Sequence, residues 1–304
     1  MIRILNRKEI NDQLWNDCVE QSPDGQAFFY TWYLDACCPL WSALVEDNYS
    51  AVFPFAHRSK FGIDYIYQPF FTRHFGLIAK SKTDFYKQEA FLSAIPSDYK
   101  YLDFCLHTAH QQVPEGIIPE HKIYQQLSLR TDYSQIQKGY NENLVRNLKK
   151  ASKSGYTLKH NFQPEAVVDL FYTHQKALRE EFKEADYSTL KNLMISAAKN
   201  TTTYCWAVQD PSGEIHAGAF FIKTKTQLLY LKGFSSEKGK KQGAMHFLFD
   251  QLIQYHAGQD IALDFGGSSV KSVARFYYGF GSIDCLYLRL KINRLPTALR
   301  WIKS

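Results

Sequence analysis

The sequence predicts a mixed α/β protein of the α+β class, with two domains that each contain a mainly antiparallel sheet flanked by helices. Three observations predict this class. The 304 residues are 45% apolar and 15% aromatic, which is ample for one large or two medium cores. Helix-like and strand-like patterns recur in a similar order in the two halves of the chain. The stretch 261–290 is typical of a strand, a glycine turn, a short helix and a second strand. We therefore expect domains at residues 1–131 and 132–304.

The first half begins with a helix that Asn6 can cap and that the turn at residues 22–25 ends. Its further elements follow from apolar periodicity and from the loops that proline and glycine mark. The predicted helices are 31–37 and 83–94, and the predicted strands are 41–46, 49–58, 63–68, 75–79, 99–106 and 122–128.

The second half has the clearer pattern. Its predicted helices are 141–154, 164–182, 188–199 and 243–255, and its predicted strands are 156–160, 203–209, 215–223 and 227–234. Residues 235–242 are expected to form a loop before the last long helix. The run 261–263 then ends on Asp264 and a pair of glycines, and a short helix precedes the final strand.

Charges, cysteines and hydropathy indicate a soluble protein. The first twenty residues carry charges throughout, and no apolar run approaches the roughly 18 residues that a membrane span needs. The six cysteines include no C-x-x-C pair, so we expect buried, reduced thiols. Cys105, His107 and His110 offer three metal ligands without a matching fourth, and we expect no metal. These features favour a cytoplasmic protein without a membrane span.

Two stretches concentrate positive charge, and the rest of the chain is acidic on balance, since the net charge of the whole chain is only +6. Residues 138–159 contain six Lys or Arg against one acid, and residues 223–241 contain six Lys against one acid. Local basic zones of this kind indicate anionic ligands. On the first zone, Arg146, Lys149 and Lys150 share a helix face with Lys153 and can bind a phosphorylated or carboxylated acceptor. The alternative is a solvated helix face.

The start of the helix 243–255 is a candidate phosphate site. The first turn of a helix presents unpaired amides and the positive end of the helix dipole, which favours phosphate or pyrophosphate. Coenzyme A fits this logic; the alternative is that the lysines only solvate a turn. The predicted cofactor-binding residues are Lys238, Lys240, Lys241, Gln242, Gly243 and Ala244.

Transfer of an acyl group to an amine needs a base and a donor that holds the oxyanion. Asp264, at a strand end, is the first candidate base, although it can equally bind nearby backbone; Glu214 and His216 are further candidates. Candidate donors are Tyr230 and Lys232, which a regular strand places on one face, together with Tyr277 and Tyr278. The predicted catalytic set is Asp264, Tyr230, Lys232 and Tyr277.

The order of elements in the second half resembles the fold of Gcn5-related N-acetyltransferases (GNAT), and the first half resembles a weaker copy. A tandem pair of such domains is similar to the Fem-type peptidyltransferases and the CelD-type acetyltransferase-like proteins. Three segments carry the closer resemblance: RNLKKA at 146–151 followed by Gly155, LDFGG at 263–267, and FYYGFG at 276–281. The resemblance implies a degenerate first domain and a donor site in the second.

Two departures from the Fem pattern matter. Tyr277 stands where that pattern commonly has a lysine, and Lys271 or Arg275 is a possible substitute; Arg275 also joins the predicted substrate-binding residues. The loop EKGKKQGA at 237–244 is a loose version of the acetyltransferase pyrophosphate loop. In addition, the chain has no long heptad insertion of the kind that some Fem factors use as a tRNA-contacting arm.

Three functions follow as hypotheses. The first is an acyltransferase that uses a coenzyme A thioester as co-substrate, with no permanently bound cofactor, and an amine acceptor lying between the domains. The second is a Fem-like transferase that uses aminoacyl-tRNA to extend a cell-wall precursor, which the absent arm and Tyr277 disfavour. The third is a non-catalytic binding module that keeps the fold. The acceptor, a small molecule or a cell-wall precursor, and the oligomeric state stay open.

Overall fold

The computed structural model of the protein describes residues 1–107, 113–115, 117–174, 182–266 and 271–296. It divides into two compact units, residues 1–123 with 286–304, and residues 124–285. The division differs from the predicted domains 1–131 and 132–304 in two ways: the first boundary falls after residue 123, and most of the last strand belongs to the first unit. In that unit, Tyr287–Asn293 pairs antiparallel with Tyr101–His107.

In chain order, the elements up to residue 128 include ten helices and strands. They are β1 Ile2–Asn6, α1 Asp12–Gln21, α2 Thr31–Cys37, β2 Trp41–Glu46, β3 Ala51–Lys60, β4 Ile63–Tyr67, β5 Ile78–Ala79, α3 Gln88–Ser93, β6 Tyr99–His107 and β7 Glu120–Ser128.

The described elements after residue 128 include seven helices. They are α4 Tyr133–Gln137, α5 Glu142–Lys153, β8 Thr157–Lys159, α6 Pro164–His174, α7 Glu184–Asn200, β9 Thr203–Gln209, β10 Ile215–Lys223, β11 Gln227–Ser235, α8 Glu237–Gln242, α9 Ala244–His256, β12 Ala262–Gly266, α10 Lys271–Tyr278 and β13 Ile283–Asn293.

The first unit orders its strands β1-β2-β3-β4-β6-β13, with β5 beside β3. Only β4 and β6 run parallel in this set. The strand β1 was not predicted. Asn6, predicted to cap the first helix, instead caps a short 3-10 helix at Arg7–Glu9, and Asn11 caps α1. The predicted strand 75–79 shortens to β5, while Phe75 forms an isolated bridge with Leu106.

The second unit orders its strands β7-β12-β11-β10-β9-β8, and only β11 and β12 run parallel. The helix α9 packs on β9, β10 and β11, while α6 packs on β10 and β11. Buried side chains such as Leu248, Phe249, Leu252, Ala219 and Phe221 join the helix α9 to the sheet. Ala244, the first residue of α9, belongs to the same core.

Two predicted elements of the second unit are corrected. The predicted loop 235–242 is largely the helix α8, because the Ser236 hydroxyl caps it by accepting from the Gly239 amide at 3.0 Å. Gly243, at a φ of 77°, then ends α8 and starts α9. The helix predicted to reach residue 182 runs to His174, and residues 175–181 lie outside the described part of the chain.

The mixed α/β class is confirmed. Within the described residues, no helix has both the length and the apolar character that crossing a membrane requires.

Candidate active site

A cavity of about 240 Å³ opens in the second unit beside the part of β11 that lies beyond its pairing with the parallel strand β12. These strands pair over three residues each, Gln227–Leu229 with Ala262–Asp264. Beyond Leu229, β11 continues to Ser235 along the cavity. The wall includes Tyr230 and Gly233 from β11, Gly239 and Lys240 from α8, Met245 and His246 from α9, and Phe276 and Tyr277 from α10.

A β-bulge in β11 separates Tyr230 from Lys232. On the neighbouring strand β10, Tyr230 pairs with Phe221 and Lys232 pairs with Phe220, so β11 carries one extra residue between them. Consecutive residues of β10 point to opposite faces of the sheet, and so do their two partners. The prediction that Tyr230 and Lys232 share one face is therefore wrong.

The two side chains consequently have different surroundings. The Tyr230 ring lies 5.0 Å from the Phe249 ring of α9 and borders the cavity. The Lys232 ammonium lies 4.5 Å from the Phe171 ring centre and 4.7 Å from that of Phe182. Burial raises the pKa of Tyr230 far above its usual value, so its hydroxyl remains protonated and able to donate.

Tyr277 also borders the cavity and is 6% exposed. Its ring lies 4.9 Å from the Phe265 ring, at the position where the Fem pattern has a lysine. Lys271 and Arg275, the two predicted substitutes for that lysine, are both exposed on α10. Of the predicted catalytic residues, the structure thus brings Tyr230 and Tyr277 to one cavity.

Asp264 is fully buried, and both of its oxygens accept hydrogen bonds from the protein. Oδ2 accepts from the Gln227 side-chain amide at 2.6 Å, and Oδ1 accepts from the Gly266 backbone amide at 2.8 Å. Neither Asp264 nor Lys232 belongs to the described residues that line the cavity. The contact with Gln227 ties β12 to β11, and the contact with Gly266 lies within β12. Asp264 thus binds nearby backbone, as the alternative interpretation of the sequence expected.

The predicted phosphate-binding residues have several roles. Lys240 borders the cavity, and its ammonium lies 2.7 Å from Glu237. Lys238 instead pairs with Asp210 at 2.8 Å, and Lys241 is exposed. Gln242 accepts a hydrogen bond from Tyr156 at 2.7 Å.

Gly243 and Ala244 are both buried at the start of α9. A side chain at Gly243 would meet the Asn147 carbonyl of α5 at 2.6 Å. The start of α9 is therefore closed on the side of α5, and its first turn meets the cavity through Met245 and His246.

His246 is a titratable cavity residue that the sequence did not lead us to predict. Its ring lies 4.8 Å from the Phe276 ring, and burial, followed by the charge of Lys150, lowers its pKa from 6.5 to about 4. The imidazole is therefore neutral near physiological pH. Its place three residues after Gly243, in the first turn of α9, was the available signal.

The charge of Lys150 on α5 contributes to the lowered pKa of His246, which borders the cavity. Lys150 is exposed on α5, as are Arg146 and Lys149. The Arg146 guanidinium donates to the Asn143 side-chain oxygen at 2.9 Å. Lys150 and Lys240 thus put two positive charges at or near the cavity that starts beside α9.

Asp210, Glu214 and His216 are the three described residues whose ligand atoms lie close enough to hold a metal ion together. The Lys238 ammonium, 2.8 Å from Asp210 and 3.9 Å from Glu214, already supplies a cation to this cluster. Cys105 and His107 lie on β6, and His110 is outside the described residues.

The protein has two units, and the second has a cavity beside the parallel pair β11 and β12 and the start of α9. No protein-family model matches the sequence, and no curated protein matches it. Among solved structures, FemX is 12% identical, with 99% of both chains covered and a TM-score of 0.67. L-PGS from Bacillus licheniformis is 14% identical, with 96% of this chain and 95% of that chain covered and a TM-score of 0.56.

A tandem GNAT protein from the clavulanic acid biosynthesis pathway is also similar, at 9% identity, 98% and 100% coverage of the two chains, and a TM-score of 0.50. At such identities the likeness concerns the fold. The predicted tandem GNAT-like and Fem-like fold is confirmed.

Proposed function

We propose that this protein is an acyltransferase that moves an acyl group from coenzyme A to an amine. The observation that carries the proposal is the cavity of the second unit, with Tyr230 at one strand and Lys240 and the first turn of α9 around it. It combines an apolar wall with a few polar groups, as ligand sites commonly do.

The parts of coenzyme A match this lining by chemistry. The amides of the pantetheine arm suit the edge of β11 that lies beyond its pairing with β12, because an extended chain can hydrogen-bond to a strand edge. The pyrophosphate suits the positive end of α9 with Lys240 and Lys150 nearby.

In the reaction, the amine nitrogen forms a bond to the thioester carbon, and the bond from carbon to sulfur breaks. A proton leaves the amine, and the departing thiolate gains one. Tyr230 is proposed to donate to the developing oxyanion or to the sulfur, with Tyr277 as the second donor. His246, neutral because of its lowered pKa, is proposed as an acceptor for the amine proton.

This assignment replaces Asp264 and Lys232 in the predicted catalytic set. The acceptor is proposed to be a small molecule or a cell-wall precursor with a free amine. Arg146 and Lys149, exposed on α5, are proposed to attract an anionic group of that acceptor.

The test is a thermal-shift and calorimetric titration of the full chain with coenzyme A and acetyl-coenzyme A. A ligand at about 100 times its Kd stabilises the folded state by about 2.7 kcal/mol, so a raised Tm is expected. Pantetheine is the matched control: it lacks the pyrophosphate and is expected to bind more weakly. An unchanged Tm with millimolar coenzyme A would reject the proposal.

A second candidate, an aminoacyl-tRNA-dependent transferase, is favoured by the exposed cationic face of α5. That face carries Arg146, Lys149, Lys150 and Lys153. If the face binds RNA, affinity falls steeply with salt, and neutralising these residues flattens the salt dependence. Indifference to tRNA at low salt would remove this candidate.

The third candidate is a non-catalytic binding module, which differs from the two transferases because it shows no turnover. Coenzyme A binding without transfer to any amine in a panel of acceptors and acyl donors would favour it.

A further inference from the structure

His216 is fully buried on β10 and joins two side chains that approach it from different segments. Its Nε2 lies 3.0 Å from the Asp210 carboxylate, in the turn between β9 and β10. Its Nδ1 lies 3.1 Å from the Ser236 hydroxyl, at the cap of α8. His216 itself is not one of the described residues that line the cavity.

The direction of these hydrogen bonds follows from the state of Asp210. The Lys238 ammonium, then Ser212 and His216, hold the pKa of Asp210 well below its usual range. An ionised carboxylate only accepts, so Nε2 of His216 carries the hydrogen. In the neutral ring Nδ1 then accepts from the Ser236 hydroxyl, whose oxygen accepts from the Gly239 amide at 3.0 Å.

The backbone of His216 also contacts the residues at the start of α8. Its carbonyl accepts from the Ser236 amide at 2.9 Å and from the Ser235 hydroxyl at 3.3 Å. Gly239 packs so closely that a Cβ there would lie 2.3 Å from that carbonyl. The side chain and the carbonyl of His216 therefore both hold the start of α8.

The helix α8 has no long hydrophobic face to hold it in place: it spans Glu237–Gln242, and of these Gly239 is the buried residue. It nevertheless supplies Gly239 and Lys240 to the cavity wall. Short helices depend on capping and tertiary contacts for their stability. The position of Lys240 at the cavity therefore depends on the Ser236 cap and on what orients that cap.

We propose that His216 is a positioning residue, which orients Ser236 and thereby holds α8 and Lys240 where they meet the anionic part of the donor. The role rests on the proposed function only for the nature of the ligand, since the restraint on α8 exists without it. His216 acts through Ser236 and touches no reacting atom.

Serine, histidine and aspartate also form nucleophilic triads, and the two roles are distinguishable. Here the Ser236 oxygen is engaged as a helix cap, and Ser236 is 7% exposed. The positioning role predicts no covalent acyl group on Ser236. An acyl-serine found by mass spectrometry after incubation with acetyl-coenzyme A would overturn it.

The first measurement is amide hydrogen exchange in the full chain without ligand. Ser236→Ala removes the cap, and exchange of the Gly239 amide is expected to accelerate about five- to tenfold. Ser236→Thr keeps the hydroxyl and is expected to stay within about twofold of the native rate. His216→Phe keeps a buried ring without hydrogen bonds and is expected to resemble Ser236→Ala.

The second measurement is coenzyme A affinity and turnover in the same variants. Ser236→Ala is expected to raise the Kd or KM by at most about two- to fivefold, the loss expected on removing Lys240 itself, while kcat at saturation is retained. Ser236→Thr is expected to restore affinity. If His216→Phe does not fold, His216→Leu removes the same side-chain hydrogen bonds and tests the restraint in its place, while the pair at Ser236 tests the cap. A native Gly239 exchange rate in Ser236→Ala would overturn the inference.

Different results would contradict the positioning role of His216 and the proposed use of coenzyme A. Faster Gly239 exchange in a protein that never binds coenzyme A supports the restraint on α8 and removes the proposed donor. Loss of kcat with unchanged affinity in Ser236→Ala contradicts a positioning role.

Discussion

Tyr230 and Lys232 lie two residues apart on β11 but on opposite faces of the sheet, because the strand carries one extra residue between their pairing positions. Tyr230 borders the cavity and packs against Phe249, whereas the Lys232 ammonium lies over the rings of Phe171 and Phe182. The bulge thus separates a residue available to a ligand from one used in packing.

This separation predicts different effects for two substitutions. Tyr230→Phe removes a hydroxyl that is proposed to donate in the transition state, so kcat is expected to fall about 10- to 100-fold with little change in Tm. Lys232→Met keeps an apolar stem over the two rings, so kcat is expected to be retained while stability falls by about 1 kcal/mol. Steady-state kinetics and urea unfolding of both variants check this; equal losses of kcat would contradict it.

The positive charges near the cavity are expected to act on affinity. Lys240→Ala and Lys150→Ala should each weaken coenzyme A binding about two- to fivefold at low salt, and less at high salt, because exposed charges are screened. Lys149→Ala is the matched control, since Lys149 is also exposed on α5 but is not among the charges that lower the pKa of His246. Calorimetric titration at two salt concentrations measures the effect. A loss in the control as large as in Lys150→Ala would indicate a general effect of net charge.

The lowered pKa of His246 is expected to make the free energy of unfolding depend on pH. Its pKa is lowered from 6.5 to about 4 in the folded protein, so between these values the unfolded chain binds more protons. Its contribution is present above pH 6.5 and is lost as pH falls from 6.5 towards about 4.

His246→Gln should therefore reduce the loss of unfolding free energy between about pH 7 and about pH 5 by on the order of 1–3 kcal/mol. His121→Gln is the control, because His121 is exposed. Urea titrations at both pH values measure the difference. An identical pH dependence in His246→Gln and the native chain would mean that His246 is not held neutral by burial.

Asp264 is expected to matter for stability. Asp264→Asn keeps the size but turns one acceptor into a donor that faces the Gln227 amide or the Gly266 amide, which costs about 1–3 kcal/mol in a buried site. Asp260→Asn, at an exposed carboxylate paired with Arg130, should change stability by less than about 0.5 kcal/mol. Coenzyme A affinity of the folded Asp264→Asn protein should be close to native. A folded variant of native stability without turnover would restore Asp264 as the catalytic base.

The sequence by itself determined the fold class, most of the helices and strands, and the neighbourhood of the cavity. Apolar periodicity and glycine turns are local signals, and they sufficed to predict the strand before Asp264 and the helix that follows Gly243. The predicted site included Tyr230, Lys240 and Tyr277, which border the cavity.

Only the tertiary structure decided which of the candidate side chains meet. Strand alternation cannot reveal the bulge that turns Lys232 away from Tyr230, because a bulge depends on the register with β10. Asp264 accepts a hydrogen bond from Gln227, and His246 has a lowered pKa because of burial and the charge of Lys150. Gln227 and Lys150 are both distant in sequence from the residues they affect. Hydrogen bonding and desolvation depend on neighbours in space, and local sequence patterns do not contain those neighbours.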